Sequence, residues 1–201
     1  MMNEIRPAIM MLFVLTLITG LAYPLAMTGI AETLFPRNAG GSLIERHGKV
    51  VGSALIGQEF KSDRYFHGRP SATLGPDPAD PSKSVVQPYN AANSMGSNLG
   101  PTNRALATRV EEDVNRLKQE NPNMPVPIDL VTTTASGLDP DISPEAAFFQ
   151  VPRIAKARGL SEERVVRQLI EAHVEQRILG VLGEPRVNVL QLNLALDQVT
   201  S

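Results

Sequence analysis

Residues Pro7 to Ala31 read Pro-Ala-Ile-Met-Met-Leu-Phe-Val-Leu-Thr-Leu-Ile-Thr-Gly-Leu-Ala-Tyr-Pro-Leu-Ala-Met-Thr-Gly-Ile-Ala and carry no charge. About 20 predominantly apolar residues cross the hydrocarbon core of a bilayer as a helix, so this stretch is long enough to span. A secretory signal is the rival, with Gly29-Ile30-Ala31 as its small-x-small cleavage site and Glu32 as first mature residue. The charge-free run, however, exceeds the roughly 7–15 residues of a usual h-region. The flank before it is also weakly basic, with Arg6 offset by Glu4. The reading taken is a retained span over residues 7–31, preceded by a short tail of residues 1–6.

Gly20 and Pro24 are compatible with a span, because Thr side chains and neighbouring helices satisfy backbone groups that they free. Thr16, Thr19, Gly20 and Thr28 are small or hydroxylated residues that suit close packing on another membrane helix; the alternative is that they face lipid. Arg37, Arg46 and Lys49 outnumber Arg6 around the span, so the positive-inside rule alone does not orient it. Long domains cross largely regardless of charge. The expectation is a tail inside and a domain outside.

No second apolar stretch of this kind follows, so the rest of the chain, after a connector at 32–41, forms one soluble domain at 42–201. Formal net charge is −2, with 19 basic and 21 acidic residues, which gives no basis for nucleic-acid binding. Cysteine is absent, which excludes disulfides, thiol nucleophiles and Cys-based metal sites. The 16 Pro and 15 Gly, against 4% aromatics, predict a domain rich in ordered loops.

Ser42–Ile56 reads as a β-hairpin turning at His47-Gly48, with Gly52 marking a bulge or close backbone approach. Asp63-Arg-Tyr-Phe-His-Gly-Arg-Pro-Ser71 concentrates aromatic, imidazole and guanidinium groups. A long loop without secondary structure then runs to about Pro101 and is dense in Pro, Asn, Ser and Gly. Pro101 opens a helix whose Leu106, Val110, Val114 and Leu117 share a face, and which ends near Asn121-Pro122. Pro127–Thr133 has the β-branched content of a strand. Ser143-Pro-Glu starts a helix that breaks at Pro152 and ends at Gly159. Ser161-Glu-Glu caps the next, with Val165, Leu169, Ile170 and Val174 as its core stripe. Arg186–Gln198 is a short strand, a helix, or one after the other. The fold class is α+β: one N-terminal transmembrane helix, then a single soluble domain with a β-hairpin and several helices.

Catalytic motifs are missing: there is no Walker loop, no Gly-x-Ser-x-Gly elbow and no His-Glu-x-x-His pair. His47, His67 and His173 lack local ligand spacing. His47 suits a turn and His173 a helix. His67 is either a structural, hydrogen-bonded histidine or, beside Arg69 and the Asn-rich loop, the base of a signal-anchored periplasmic hydrolase or binding protein. Asp139 and Asp141 are turn and pre-helix residues, too few for a selective cation site. No catalytic residue and no metal ligand is assigned.

Eight blocks carry a resemblance. They are Arg6-Pro-Ala; Leu17-Ile-Thr-Gly with Tyr23-Pro-Leu; Gly52-Ser-Ala-Leu-Ile-Gly-Gln58; Tyr65-Phe-His-Gly-Arg-Pro-Ser-Ala72; Gly96-Ser-Asn-Leu-Gly-Pro-Thr-Asn103; Ser136-Gly-Leu-Asp139; Gln150-Val-Pro-Arg-Ile-Ala-Lys-Ala-Arg158; and Asn193-Leu-Ala-Leu-Asp197. Together and in this order they resemble the C-subunit family of bacterial Kdp potassium-transporting ATPases. Ser94-Met-Gly-Ser97 departs from the Ser-Gly-Gly-Ser usual there.

The resemblance implies an accessory, non-catalytic subunit in the cell inner membrane. Its implied partners are a potassium channel subunit and a P-type ATPase subunit, which it would assemble and stabilise. It also implies a catalytic-chaperone role that raises the pump's affinity for ATP. No cofactor is expected to bind tightly. For ATP shared with the pump subunit, the candidate contacts are Gln150, Ser94, Ser97 and Asn98, were the domain cytosolic; an outer domain would act only by coupling through the helices. Partner contacts are expected at Thr16, Thr19, Gly20, Tyr23, Pro24, His67 and Arg69. On an outer domain, Asp63, Asp77 and Asp80 would raise the local cation concentration.

Overall fold

A computed structural model describes residues 2–160 and 163–199. They fall into two compact units, Met1–Ser53 and Ala54–Ser201.

The first unit opens with α1 (Met2–Leu17), a π-helical turn (Ile18–Ala22) and α2 (Tyr23–Leu34) in direct succession. From Glu4 to Leu34 they make 31 helical residues with a mean hydropathy of 2.1 over the most apolar window, none of it buried. Pro24 explains the π turn. It has no N–H to offer the preceding turn, and the Tyr23 N–H reaches back to the Ile18 carbonyl instead. A short α3 (Pro36–Ala39) leads to the hairpin of β1 (Leu43–Arg46) and β2 (Lys49–Ser53). His47 and Gly48 have φ of 52° and 72°, the left-handed pair of a tight hairpin turn. Ile44 faces Gly52 while Glu45 faces Val50, so the bulge lies beside Gly52.

In the second unit, β3 (Leu74–Pro76) pairs antiparallel with β4 (Ser84–Val86). The long-loop expectation is corrected here. Asp77 and Asp80 fold the intervening turn by accepting from the Ala79 and Ser82 amides. The next helix, α4 (Arg104–Glu120), is capped by Asn103, which accepts from the Ala105 N–H. Pro101 lies in the turn before it, because a capping side chain fixes the start more strongly than a compatible Pro. Leu117 is buried, and Val110 and Val114 pack on the core.

Pro127–Thr133 is not a strand: Ile128–Leu130 is a 3₁₀ turn. The Thr132 hydroxyl donates to the Ile128 carbonyl, and Asp129 accepts from the backbone and hydroxyl of Ser143. These local bonds override β propensity. β5 (Asp141–Ile142) follows, then α5 (Pro144–Phe149) with Ser143 as cap, and α6 (Val151–Arg158). Gly159, at φ 67°, ends α6, and the Leu160 N–H returns to the Ala155 carbonyl as in a Schellman closure.

α7 (Glu163–His173) buries Val166 and Ile170. Of the expected stripe, Ile170 is buried and Leu169 and Val174 pack against the core; Val165 is instead 37% exposed and its neighbour Val166 takes the buried position. Of the Ser161-Glu-Glu cap, Ser161 and Glu162 lie outside the described residues. β6 (Val174–Glu175) and β5 flank the central β7 (Arg186–Asn188) in a three-stranded antiparallel sheet. α8 (Val189–Leu196) leaves β7 without a loop, capped by Asn188, so strand and helix follow one another. Phe66, Phe149, Ile154, Ile170, Leu192 and Leu196 are fully buried at the centre of the core. The molecule is α+β, with a long apolar N-terminal helix.

Candidate functional site

The segment Tyr65-Phe-His-Gly-Arg-Pro-Ser-Ala72 is gripped from three sides. Buried Asn193 of α8 accepts from the Phe66 N–H at 2.8 Å and donates to its carbonyl at 3.0 Å. Gln150, 2% exposed at the α5–α6 junction, does the same to His67, accepting at 2.8 Å and donating at 3.1 Å. Two primary amides thus read two successive peptides as a neighbouring strand would. Gln150 also donates to the Ala146 carbonyl and accepts from Arg153.

Arg153 donates to the carbonyls of Asp63 and Tyr65 and pairs with Glu120 at 2.7 Å. Arg158 donates to the Arg64 carbonyl, pairs with Asp197 at 2.9 Å, and lies 5.0 Å from the Tyr65 ring centroid. The grip explains why the Gln150–Arg158 and Asn193–Asp197 blocks have the residues they do. Sequence reasoning missed Arg153, Arg158, Asn193 and Asp197 because their targets lie some 40–130 positions away.

His67 is half-buried. Its Nε2 lies 3.1 Å from the Ser62 carbonyl; a carbonyl only accepts, so this nitrogen carries the proton. Burial, and then the Arg153 charge, hold the ring pKa below 6.5, and the imidazole is neutral at pH 7. With Gln150, Asp113, Arg116 and Glu120 it lines a cavity of about 190 Å³. None of Ser94, Ser97 and Asn98 lines it.

Those three sit on a strap laid along residues 133–137. Ser94 Oγ and the Met95 N–H both donate to the Ser136 carbonyl, and Ser97 accepts from Thr133. A Cβ on Gly96 would stand 2.9 Å from the Ala135 carbonyl, which sets the closeness of the strap. Met95 is not among the positive-φ residues, whereas Asn98 is, at 52°. Opposite, Gly137 has φ 68°, and a Cβ there would meet Thr73 at 2.5 Å and the Met95 carbonyl at 2.7 Å; only glycine fits.

Arg69 reaches Asp139 at 3.4 Å and Thr132 at 3.3 Å, with its Nε buried and unpartnered. Tyr89, at φ 57°, donates from its hydroxyl to the Arg69 carbonyl at 2.7 Å. Burial, reinforced by Asp139, pushes its phenol up to about 12. Arg69 borders an open cleft of about 780 Å³ lined also by Asp129, Asp139, Asp141, Glu145, Glu184 and Arg186. Burial raises the Asp141 pKa, against the pull of Arg186 at 3.0 Å. Asp77 and Asp80 shape the β3–β4 turn, and Asp80 pairs with Lys83 at 3.0 Å. Among the described residues no three His, Asp or Glu are grouped so as to hold a metal ion.

Thr16, Thr19, Gly20, Tyr23 and Pro24 belong to the exposed apolar helix of the first unit. A Cβ on Gly20 would lie 3.9 Å from the Thr16 methyl, so these two share one face. Thr19 Oγ1 donates to the Leu15 carbonyl at 2.7 Å. The Thr19 carbonyl has lost its usual donors, since the Tyr23 N–H goes to Ile18 and Pro24 has none. This irregularity lies in the middle of the apolar run.

Residues 5–198 match the family model described as KdpC: K+-transporting ATPase, c chain. The chain is 72% identical over 201 residues to a potassium-transporting ATPase KdpC subunit of Bradyrhizobium diazoefficiens, covering 100% of both chains. It is 70% identical over 197 residues, 98% of each chain, to that of Rhodopseudomonas palustris strain TIE-1. A protein of the same description from Methylobacterium nodulans is 68% identical over 199 residues, 99% of this chain and 98% of its own.

Proposed function

The chain belongs to the KdpC family, the c chain of the K+-transporting ATPase, and from that premise we propose that it is an accessory subunit which assembles and tunes the complex. In this reading it is a single-pass protein of the cell inner membrane with its soluble domain on the periplasmic side. Its partners are the potassium channel subunit and the P-type pump subunit of a high-affinity potassium uptake system. It has no catalytic centre of its own.

One observation carries the proposal. No residue of the apolar window of the Glu4–Leu34 helix is buried, and midway a π turn takes from the Thr19 carbonyl the N–H donors it would ordinarily meet at Tyr23 and Pro24. Hydrocarbon cannot satisfy a carbonyl, and each such group costs several kcal/mol unless a neighbour supplies a donor. The Thr16, Thr19, Gly20 and Tyr23 region is therefore the docking face for channel or pump helices. His67 and Arg69 stay in the domain, where both hold their own fold.

The higher ATP affinity of the pump is a coupling free energy passed through this helix, of a size typically about 1–3 kcal/mol. Gln150 is assigned a structural role, because its amide is taken up by His67, Ala146 and Arg153; direct ATP contact by Ser94, Ser97 and Asn98 is not part of the proposal. Deleting residues 1–34 is expected to leave a folded soluble domain and to abolish co-purification with the channel and pump subunits. Intact assembly after that deletion would overturn the proposal.

A further inference from the structure

The apolar helix keeps helical backbone on both sides of its π turn. Leu17, at the end of α1, has φ −64° and ψ −42°. Ala22, which ends the turn, has −62° and −50°, and Tyr23, which starts α2, has −65° and −53°. All are right-handed helical values. The π turn therefore changes which groups pair without taking the chain out of the helix.

Pro24 leaves this turn with two imperfect registers. In the π register the Tyr23 N–H bonds to the Ile18 carbonyl, and the Thr19 carbonyl looks five residues on to Pro24, which has no N–H. In the α register each N–H returns four residues. Tyr23 would then serve Thr19, and the Gly20 carbonyl would face Pro24, crowded by its ring. Whichever register is taken, the carbonyl opposite Pro24 goes unserved. Neither form satisfies the whole ladder, so a modest bias from a binding partner selects between them.

The residues inside the turn keep it adaptable. Thr19 Oγ1 donates to the Leu15 carbonyl at 2.7 Å, a side-chain bond of the kind that bends helices. A Cβ on Gly20 would meet nothing closer than the Thr16 methyl at 3.9 Å. The chain's own packing thus does not require glycine there, whereas a turn that changes register is helped by the missing side chain.

One residue more in a turn rotates the helix beyond it by about 100°. We propose that Ile18–Ala22 is a swivel that moves between the π and α registers and turns α1 against α2, and that this rotation carries the coupling between the helix and the ATPase. The inference rests on the subunit role proposed above and supplies the two-state element that such coupling requires.

The chain has no cysteine of its own, so Ile9→Cys and Ile30→Cys place one spin label on each side of the turn. The labelled full chain is reconstituted with the channel and pump subunits in nanodiscs. Pulsed electron spin resonance then measures the distance between the labels with and without a non-hydrolysable ATP analogue. Two distance populations are expected, in a ratio that changes about fivefold when the nucleotide is added. Pro24→Ala completes the ladder of the α register. It should leave one population that ignores the nucleotide, and shift the KM for ATP by about fivefold. A single distance unmoved by nucleotide in the wild-type complex overturns the swivel while leaving the subunit role intact. Two populations persisting in Pro24→Ala, or an unchanged KM for ATP, overturn it equally. If the unlabelled wild-type chain does not co-purify with the other subunits, the subunit role falls and the swivel with it.

Discussion

Gln150 and Asn193 make the same pair of bonds to adjacent residues, His67 and Phe66. Replacing Gln150 by Ala orphans a buried N–H and carbonyl and releases Arg153. An unsatisfied buried group costs about 1–3 kcal/mol, so Gln150→Ala should destabilise the protein by about 2–4 kcal/mol in urea unfolding. The ATP affinity of the complex that still folds should not change. His67 makes a second prediction. The folded protein holds its pKa below 6.5, so the unfolded chain binds the proton more tightly. Its contribution to stability is therefore complete above pH 6.5 and declines as pH falls from there toward the folded-state value. His67→Gln keeps a donor for the Ser62 carbonyl and should flatten that part of the melting-temperature profile. At this scale sequence reasoning left both residues open between structural and functional roles. Each role depends on a partner 83 positions away for Gln150, or on burial, and neither shows in local spacing.

Among the elements, those punctuated by strong local chemistry were legible. The charge-free helix, the His47-Gly48 turn, the break at Pro152, the Gly159 stop and the end of α4 near Asn121 all depend on one or two residues in place. The misreadings arose where local side-chain bonds competed with propensity. Asp129, Thr132 and Ser143 turned an apparent strand into a 3₁₀ turn. Asp77 and Asp80 folded a hairpin inside an apparent loop, whose strands of three residues each are too short to show alternation. The π turn before Pro24 was likewise invisible, although Pro24 itself was not. If the Thr16–Gly20 face packs on a partner helix, Gly20→Leu should push the two apart and weaken assembly by about 1–2 kcal/mol. Co-purification at graded detergent would measure this, and membrane insertion should be unaffected.

For the whole molecule, the chain falls into two compact units, Met1–Ser53 and Ala54–Ser201; the first carries the exposed apolar helix proposed to dock in the membrane, and in the second the central polar residues hold their own backbone. Among the described residues, the groups that look like chemistry in the sequence, His67 and Gln150, are bonded to each other, backbone to side-chain amide, and hold one segment of chain. In the proposed reading, influence on the ATPase travels as a bias on the arrangement of packed helices. That account stands on the domain lying on the face opposite the ATP site. Protease added to right-side-out spheroplasts and to sealed inside-out vesicles, with antibody detection of the 54–201 domain, tests this directly. The expected result is digestion in spheroplasts and protection in inside-out vesicles; protection in spheroplasts with digestion in inside-out vesicles would contradict it.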